Sequence, residues 1–401
     1  MIYVVAFILI LYSWILVDLK HYRKLSSVCI CVIIVFLILI AGLRYRVGGD
    51  SLHYIDTYTS MPTWKNWEFF SFDEGYGPLW YLFCAISKTL GADFVYLQLL
   101  HAIIVNLTFL YVFKKRSVNV ISCFLIYFLI YYIYYNMEIL REALAVCIFC
   151  FNISNLMEKR YFRYYLGCLF SIGFHFSALV LLVFPLLNYL LKAKYANWLL
   201  GIGGGIVLLV FFYILPNHYM IFMDFMPIIG LKLKSYSTLE MNNVLGIMYY
   251  AISFVAFLGF YLIANKNRFM SKQDNCIMKM LLLFLFLGAM NQGLMRIANY
   301  LIPFAIPYVV NVGYSLITME KFAYNKILFI GCFAFLIFQK SYYYLADTSH
   351  LAVHTRQYEL WYPYESVFKP IKHTHRELIF YNAMYNQSVI RTSGELSLIH
   401  I

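Results

Sequence analysis

Apolar runs long enough to enter a bilayer follow one another along almost the whole chain, and this feature removes most architectures open to 401 residues. They occupy roughly 2–18, 26–43, 94–113, 118–135, 139–155, 162–174, 176–191, 197–215, 244–264, 277–292, 298–318 and 325–345. A hydrocarbon layer of about 30 Å takes some 20 residues of helix. Backbone groups inside it must bond to one another, which an α-helix does within a single segment. About twelve crossings follow, so the chain reads as an all-α polytopic membrane protein. Composition agrees, with 63% apolar and 12% charged residues against about 25% charged in soluble domains.

The net charge of +12 would raise nucleic-acid binding in a soluble protein, but here the cations fall between the apolar runs. They cluster at Lys20 to Lys24, Lys114 to Arg116, Lys159 to Arg163, Lys192 to Lys194, Lys266 to Lys272 and Lys321 to Lys326. That is the bias of short cytoplasmic connections, so charge reports topology and no nucleic-acid partner is expected. The apolar segment 78–90 is short for a crossing and reads as re-entrant or interfacial. With it left out of the count, every one of these clusters faces the same side.

This topology gathers the other polar connections on the outer face: 44–77, 136–142, the break at 174–176, 216–243 and the break at 291–297. The organisation expected is a multi-spanning domain over 1–345, with outer loops 44–77 and 216–243, and a polar tail over 346–401. The tail lands outside too, carrying Arg356, Lys369, Lys372, Arg376 and Arg391 against the charge bias. Nine cysteines lie in or beside apolar runs, so no disulfide framework is expected. Cys147 and Cys150 read as small packing residues one turn apart, and Gly201, Gly203, Gly204 and Gly205 as a close helix contact. His373 and His375 lack a carboxylate cluster, and neither a metal nor a cofactor is expected.

Four polar constellations expected on the outer face are the candidates for chemistry, each with a plainer reading beside it as an interfacial anchor, a helix-start ion pair, a hydrogen-bonded histidine or a short turn. In Arg44-Tyr-Arg46-Val-Gly-Gly-Asp50-Ser-Leu-His53, two arginines two apart in extended chain share a face and suit a fork around phosphate oxygens, while the glycines allow a sharp turn. Glu138, Arg141 and Glu142 share a helical face, with Glu138 and Arg141 able to pair. A guanidinium at this depth should face a cavity, a ligand or an acid. His175 sits in a broken helix, tolerated only where protein or a water-filled cavity surrounds it. Arg296 interrupts some forty apolar residues on the side that disfavours cations.

On these residues the chain resembles the EpsG-like family of multi-spanning polysaccharide polymerases, related in role to the Wzy-type O-antigen polymerases. The matching pieces are Gly42-Leu-Arg44-Tyr-Arg46-Val-Gly48-Gly-Asp50 with Tyr54 and Tyr58, Ile139-Leu-Arg141-Glu142-Ala-Leu-Ala, Phe174-His175-Phe-Ser177-Ala178-Leu, and Arg296 with Tyr300. They cover residues 40–305. Two positions depart from the family pattern: Glu142 stands where Gln is usual, and Phe176 where Lys or Arg often is.

The resemblance implies a GT-C-like fold in the bacterial inner membrane. It implies transfer of a growing glycan from undecaprenyl diphosphate to the sugar of another lipid-linked repeat unit on the outer face. A flippase and a chain-length regulator of the same pathway would be its partners, beside the bilayer itself. A diphosphate leaving group needs fixed positive charge, and Arg44, Arg46, Arg141 and Arg296, with His53 beside them, are the expected substrate contacts. Asp50 and His175 are the catalytic candidates, since the acceptor hydroxyl needs a base within hydrogen-bond reach. The rival reading is a flippase or transporter of lipid-linked oligosaccharide, whose broken helices and intramembrane charges would look similar.

Overall fold

A computed structural model describes residues 1–67, 76–191, 244–290, 292–318 and 323–385. The expected crossing at 197–215, the outer loop 216–243, the glycines at 201–205, Lys192, Lys194, Lys321 and Arg391 lie outside these residues. Among the described residues the chain is helical, with no strand and three isolated β-bridges. Seven helices among the described residues are long and apolar enough to cross a membrane: Ile2–Leu19, Arg23–Gly42, Phe94–Arg116, Leu140–Met157, Leu245–Asn267, Lys272–Met290 and Ala323–Leu345. Three apolar helices are shorter: Val120–Tyr131, Phe176–Leu190 and Ile302–Ile317. The protein is an all-α polytopic membrane protein.

In chain order the α-helices are α1 (Ile2–Trp14), α2 (Ser26–Gly42), α3 (Gly49–Tyr58), α4 (Pro78–Leu90), α5 (Phe94–Arg116), α6 (Val120–Ile126), α7 (Leu140–Met157), α8 (Tyr161–Phe174) and α9 (Phe184–Leu190). Beyond residue 243 come α10 (Val244–Asn267), α11 (Lys272–Met290), α12 (Gln292–Ala298), α13 (Ile302–Ile317), α14 (Ala323–Leu345) and α15 (Thr374–Tyr385). Local signals explain the ends. Pro78 opens α4, where its missing N–H costs nothing, and Lys114, Lys115 and Arg116 close α5 against the negative end of its dipole. α4 has 13 residues, about 20 Å of helix, which falls short of a full crossing.

The two ends of the bundle differ in chemistry. At one end α5 meets α11 through an Arg116–Asp274 ion pair at 2.5 Å, and Lys115 reaches Ser154 at the foot of α7. Lys20 and Lys266 stand at the C-terminal ends of their helices, and Arg23 and Lys24 in the short turn that precedes α2. The opposite end, read from sequence as the outer face, holds the irregular segments that bear on the candidate residues, although a π-helical turn also ends the first helix at Ile15–Leu19. α6 continues through π-helical turns at Tyr127–Tyr131 and Tyr134–Glu138, a form of helix common at functional sites. His175 is extended (φ −148°, ψ 132°) between α8 and a 3-10 stretch, Phe176–Val183. α12 folds back on α11, so tightly that a Cβ on Gly288 would fall 2.8 Å from the Met295 Cα.

A smaller apolar cluster of Tyr54, Tyr58, Trp80, Tyr81, Leu97 and Leu140 fastens α3 to α4, α5 and α7 beside the main core. Residues 346–385, read from sequence as part of a polar tail, pack over this end. Tyr45 N–H donates to Glu365 O (2.8 Å), Val367 N–H to Leu43 O (2.9 Å) and Gly48 N–H to Leu360 O (2.8 Å). Arg376, one of the cations against the charge bias, is 1% exposed. Its guanidinium binds Arg46 O, Glu359 O and Pro363 O, so its charge joins the cap to the turn beneath.

Candidate functional site

A cavity of about 710 Å³ opens at this irregular end. Arg141, His175, Arg296, Lys340, Glu138 and Trp361 line it, with tyrosines of α6, α10 and α14 between them. Arg141 stands in the first turn of α7. Its Nε donates to Tyr54 OH at 3.2 Å, and its guanidinium lies over the Tyr76 ring at 4.3 Å. Among the described residues no carboxylate is in ion-pair contact with it. Glu138 and Arg141 do not pair, contrary to the expectation from sequence. The π turn that ends at Glu138 rotates its carboxylate away, to accept from Gly49 N–H (2.9 Å), Asp50 N–H (3.4 Å) and Trp361 Nε1 (2.5 Å).

Glu138 therefore caps the start of α3, where unpaired backbone N–H groups meet a carboxylate. Asp50 is the second residue of that helix. Asp50 keeps an exposed surface, while desolvation by the protein around its carboxyl pushes that group above the usual carboxylate range, against the opposing pull of Arg296, Arg141 and His53. It stands within electrostatic reach of both cavity arginines without forming part of the lining. His53 Nε2 bonds Tyr76 OH at 2.9 Å, behind the ring that Arg141 covers.

His175 Nδ1 accepts from the Ser177 backbone N–H at 3.2 Å and bonds Ser177 Oγ at 2.7 Å, and that hydroxyl meets Tyr300 OH at 2.9 Å. With Nδ1 taken up as an acceptor, the neutral ring carries its proton on Nε2, as a donor. Arg296 projects from α12, and its charge bears on Asp50 and on Glu142. Asn299 steadies this corner, giving Nδ2–H to Glu142 Oε1 (2.7 Å) and Tyr134 OH (3.1 Å).

Arg44 and Arg46 do not share a face and do not reach the cavity. The segment is not extended: Arg46 has φ 49° and Gly48 φ 105°, so the two side chains part. Arg44 turns inward, 1% exposed, and its guanidinium is used by Ala41 O, Val47 O and Ser51 Oγ. Arg46 forms a two-bond ion pair with Glu377 of α15, at 2.5 and 2.6 Å. Both arginines fix the turn that presents Asp50 and the cap that covers it.

Sequence reasoning passed over Lys340 and Trp361 as site residues. Lys340 had a readable signal, a lone cation far along the apolar run 325–345. Trp361 had none, because only the folded cap brings it to Glu138. His373 and His375 hydrogen-bond Glu365 and Glu359 within the cap.

Fold and site together define a multi-spanning membrane protein whose helices enclose a cationic, tyrosine-walled cavity at one end. The sequence matches the EpsG family over residues 27–366, from α2 into the cap beyond Trp361. The chain belongs to the EpsG family, whose members are Wzy-type polysaccharide polymerases. No curated protein and no solved structure matches it.

Proposed function

We propose that this protein polymerises a lipid-linked glycan at the outer face of the bacterial inner membrane. It moves the growing chain from undecaprenyl diphosphate to a sugar hydroxyl of another lipid-linked repeat unit, on a scaffold of GT-C-like design. Arg141 carries this reading: a guanidinium fixed by Tyr54 and Tyr76, with no carboxylate in ion-pair contact among the described residues and Asp50 only within electrostatic reach, faces a cavity large enough for sugars. Such an arrangement suits an anionic ligand better than a structural role, because a buried cation is costly unless something neutralises it.

In the transfer, the acceptor oxygen bonds to the anomeric carbon as the bond to the diphosphate oxygen breaks, and negative charge develops on the leaving group. Arg141 and Arg296 stabilise that charge, and fixed donors in a water-poor site do this effectively. His175, with its proton on Nε2, supplies a further donor. Asp50 stands outside the lining, so in this reading the acceptor hydroxyl passes its proton to it through one bridging water, and its raised affinity for protons brings it nearer the working range of a general base. Arg44 and Arg46 act through the Gly42–Ser51 turn and not by touching the carrier.

The test is a surface-glycan gel profile of a strain lacking the gene, complemented with wild type, Arg141→Ala or Arg296→Ala at matched protein level. A polymerase predicts loss of the long ladder with a single repeat still reaching the outer side. Loss of every repeat from the outer side, with precursor held inside, would instead establish a flippase.

A further inference from the structure

The cavity contains a cation that the transfer just described leaves unused. Lys340 lies on α14, and its Nζ sits 5.8 Å from the centre of the Tyr131 ring and 5.6 Å from that of Tyr134. Among the described residues no carboxylate is within ion-pair distance of it. Neighbouring Gln339 is engaged elsewhere, receiving Ser253 Oγ–H at 2.6 Å and donating to Tyr249 O at 2.9 Å. A lysine at membrane depth is costly without a counter-charge, and here the open side is the cavity.

The form of the site limits the ligand. A diphosphate carries several oxygens and suits the forked donors of arginine, which Arg141 and Arg296 provide. Lysine is a compact point charge. One such charge between two tyrosine faces matches a single carboxylate on a ring whose C–H face can lie against an aromatic. We propose that Lys340, Tyr131 and Tyr134 form a second anion subsite that takes a carboxylated sugar of the repeat unit, making an acidic glycan the preferred substrate. This rests on the polymerase reading and adds the substrate class to it.

Three measurements test it. The first is the sugar composition of the polymer that wild type makes and the deletion strain lacks. The second is the ladder produced by Lys340→Gln and Lys340→Arg at equal protein level. The third is the affinity of the purified full-length protein for inorganic pyrophosphate. The subsite predicts a carboxylated sugar in the polymer, and long-chain product reduced at least about tenfold by Lys340→Gln and largely restored by Lys340→Arg. It also predicts pyrophosphate binding kept in Lys340→Gln and weakened in Arg141→Ala. A neutral polymer, or a full ladder from Lys340→Gln, overturns the subsite and leaves the transfer chemistry standing. Weakened pyrophosphate binding in Lys340→Gln assigns the lysine to the carrier diphosphate and overturns it too. An unchanged glycan in the deletion strain overturns the polymerase reading, and the subsite with it.

Discussion

Four arginines that look alike in the sequence divide into two pairs once each guanidinium has its partners. Arg141 and Arg296 face the cavity, whereas Arg44 and Arg46 are held by backbone, Ser51 and Glu377. Replacing Arg141 by Lys keeps the charge but loses the fork and the stacking on Tyr76, so polymer output should fall at least tenfold at unchanged protein level. Arg44→Lys should act differently: it strands buried acceptors, each worth about 1–3 kcal/mol, and lowers the melting temperature of the purified protein. Equal melting temperatures for Arg44→Lys and wild type would reject that distinction. The residues were legible as a set of cations at breaks between apolar runs, but their division was not. It depends on the φ of Arg46 and Gly48 and on a cap more than 300 residues away in sequence.

Asp50 gives a prediction in pH. Desolvation of its carboxyl raises its proton affinity although the residue keeps an exposed surface, so a base at this position loses activity on acidification at a pH above the ordinary carboxylate range near 3.9. For stability the sign is set by the same shift. The fold favours the protonated form, so this group's contribution is greatest at low pH and declines as pH rises through its folded value. Asp50→Asn should therefore abolish polymer while raising the melting temperature at neutral pH. Paired pH profiles of polymerisation and of thermal unfolding check both halves, and a stable, active Asp50→Asn protein would remove Asp50 from the chemistry.

At the scale of elements, the long helices were legible because a bilayer demands long apolar runs and little else satisfies it. The short segment at α4 was legible for the same reason, by failing the length. What escaped were the π turns after α6, the fold-back of α12 on α11, and the ordered cap. Each depends on contacts between segments far apart in sequence, which hydrophobic periodicity does not encode. The α11–α12 fold-back rests on Gly288, where an added side chain meets the Met295 backbone. Gly288→Val should push α12 outward and carry Arg296 with it, reducing polymer severalfold at near-normal insertion. Gly288→Ala should lie between. Full activity in the valine variant would show that α12 tolerates displacement and that Arg296 needs no fixed position.

Across the whole molecule, the site is assembled from both ends of the chain. Residues 346–385 close over the turn that bears Asp50, and Trp361 passes through that cover to hold Glu138, which in turn caps α3. A helical bundle alone would leave Glu138 and the start of α3 facing water, where mobile solvent replaces fixed donors around the reacting groups. The Arg46–Glu377 ion pair is the clasp, with side chains 11% and 18% exposed. Partly buried two-bond pairs couple more strongly than surface pairs. Arg46→Gln, Glu377→Gln and the double variant thus form a test of whether closure serves catalysis. If it does, each single variant lowers polymer output, the double variant is no worse than the weaker single, and the coupling is about 1 kcal/mol or more in the ratio of rates. Additive losses would mean that the two residues act separately, and that the cap contributes stability alone.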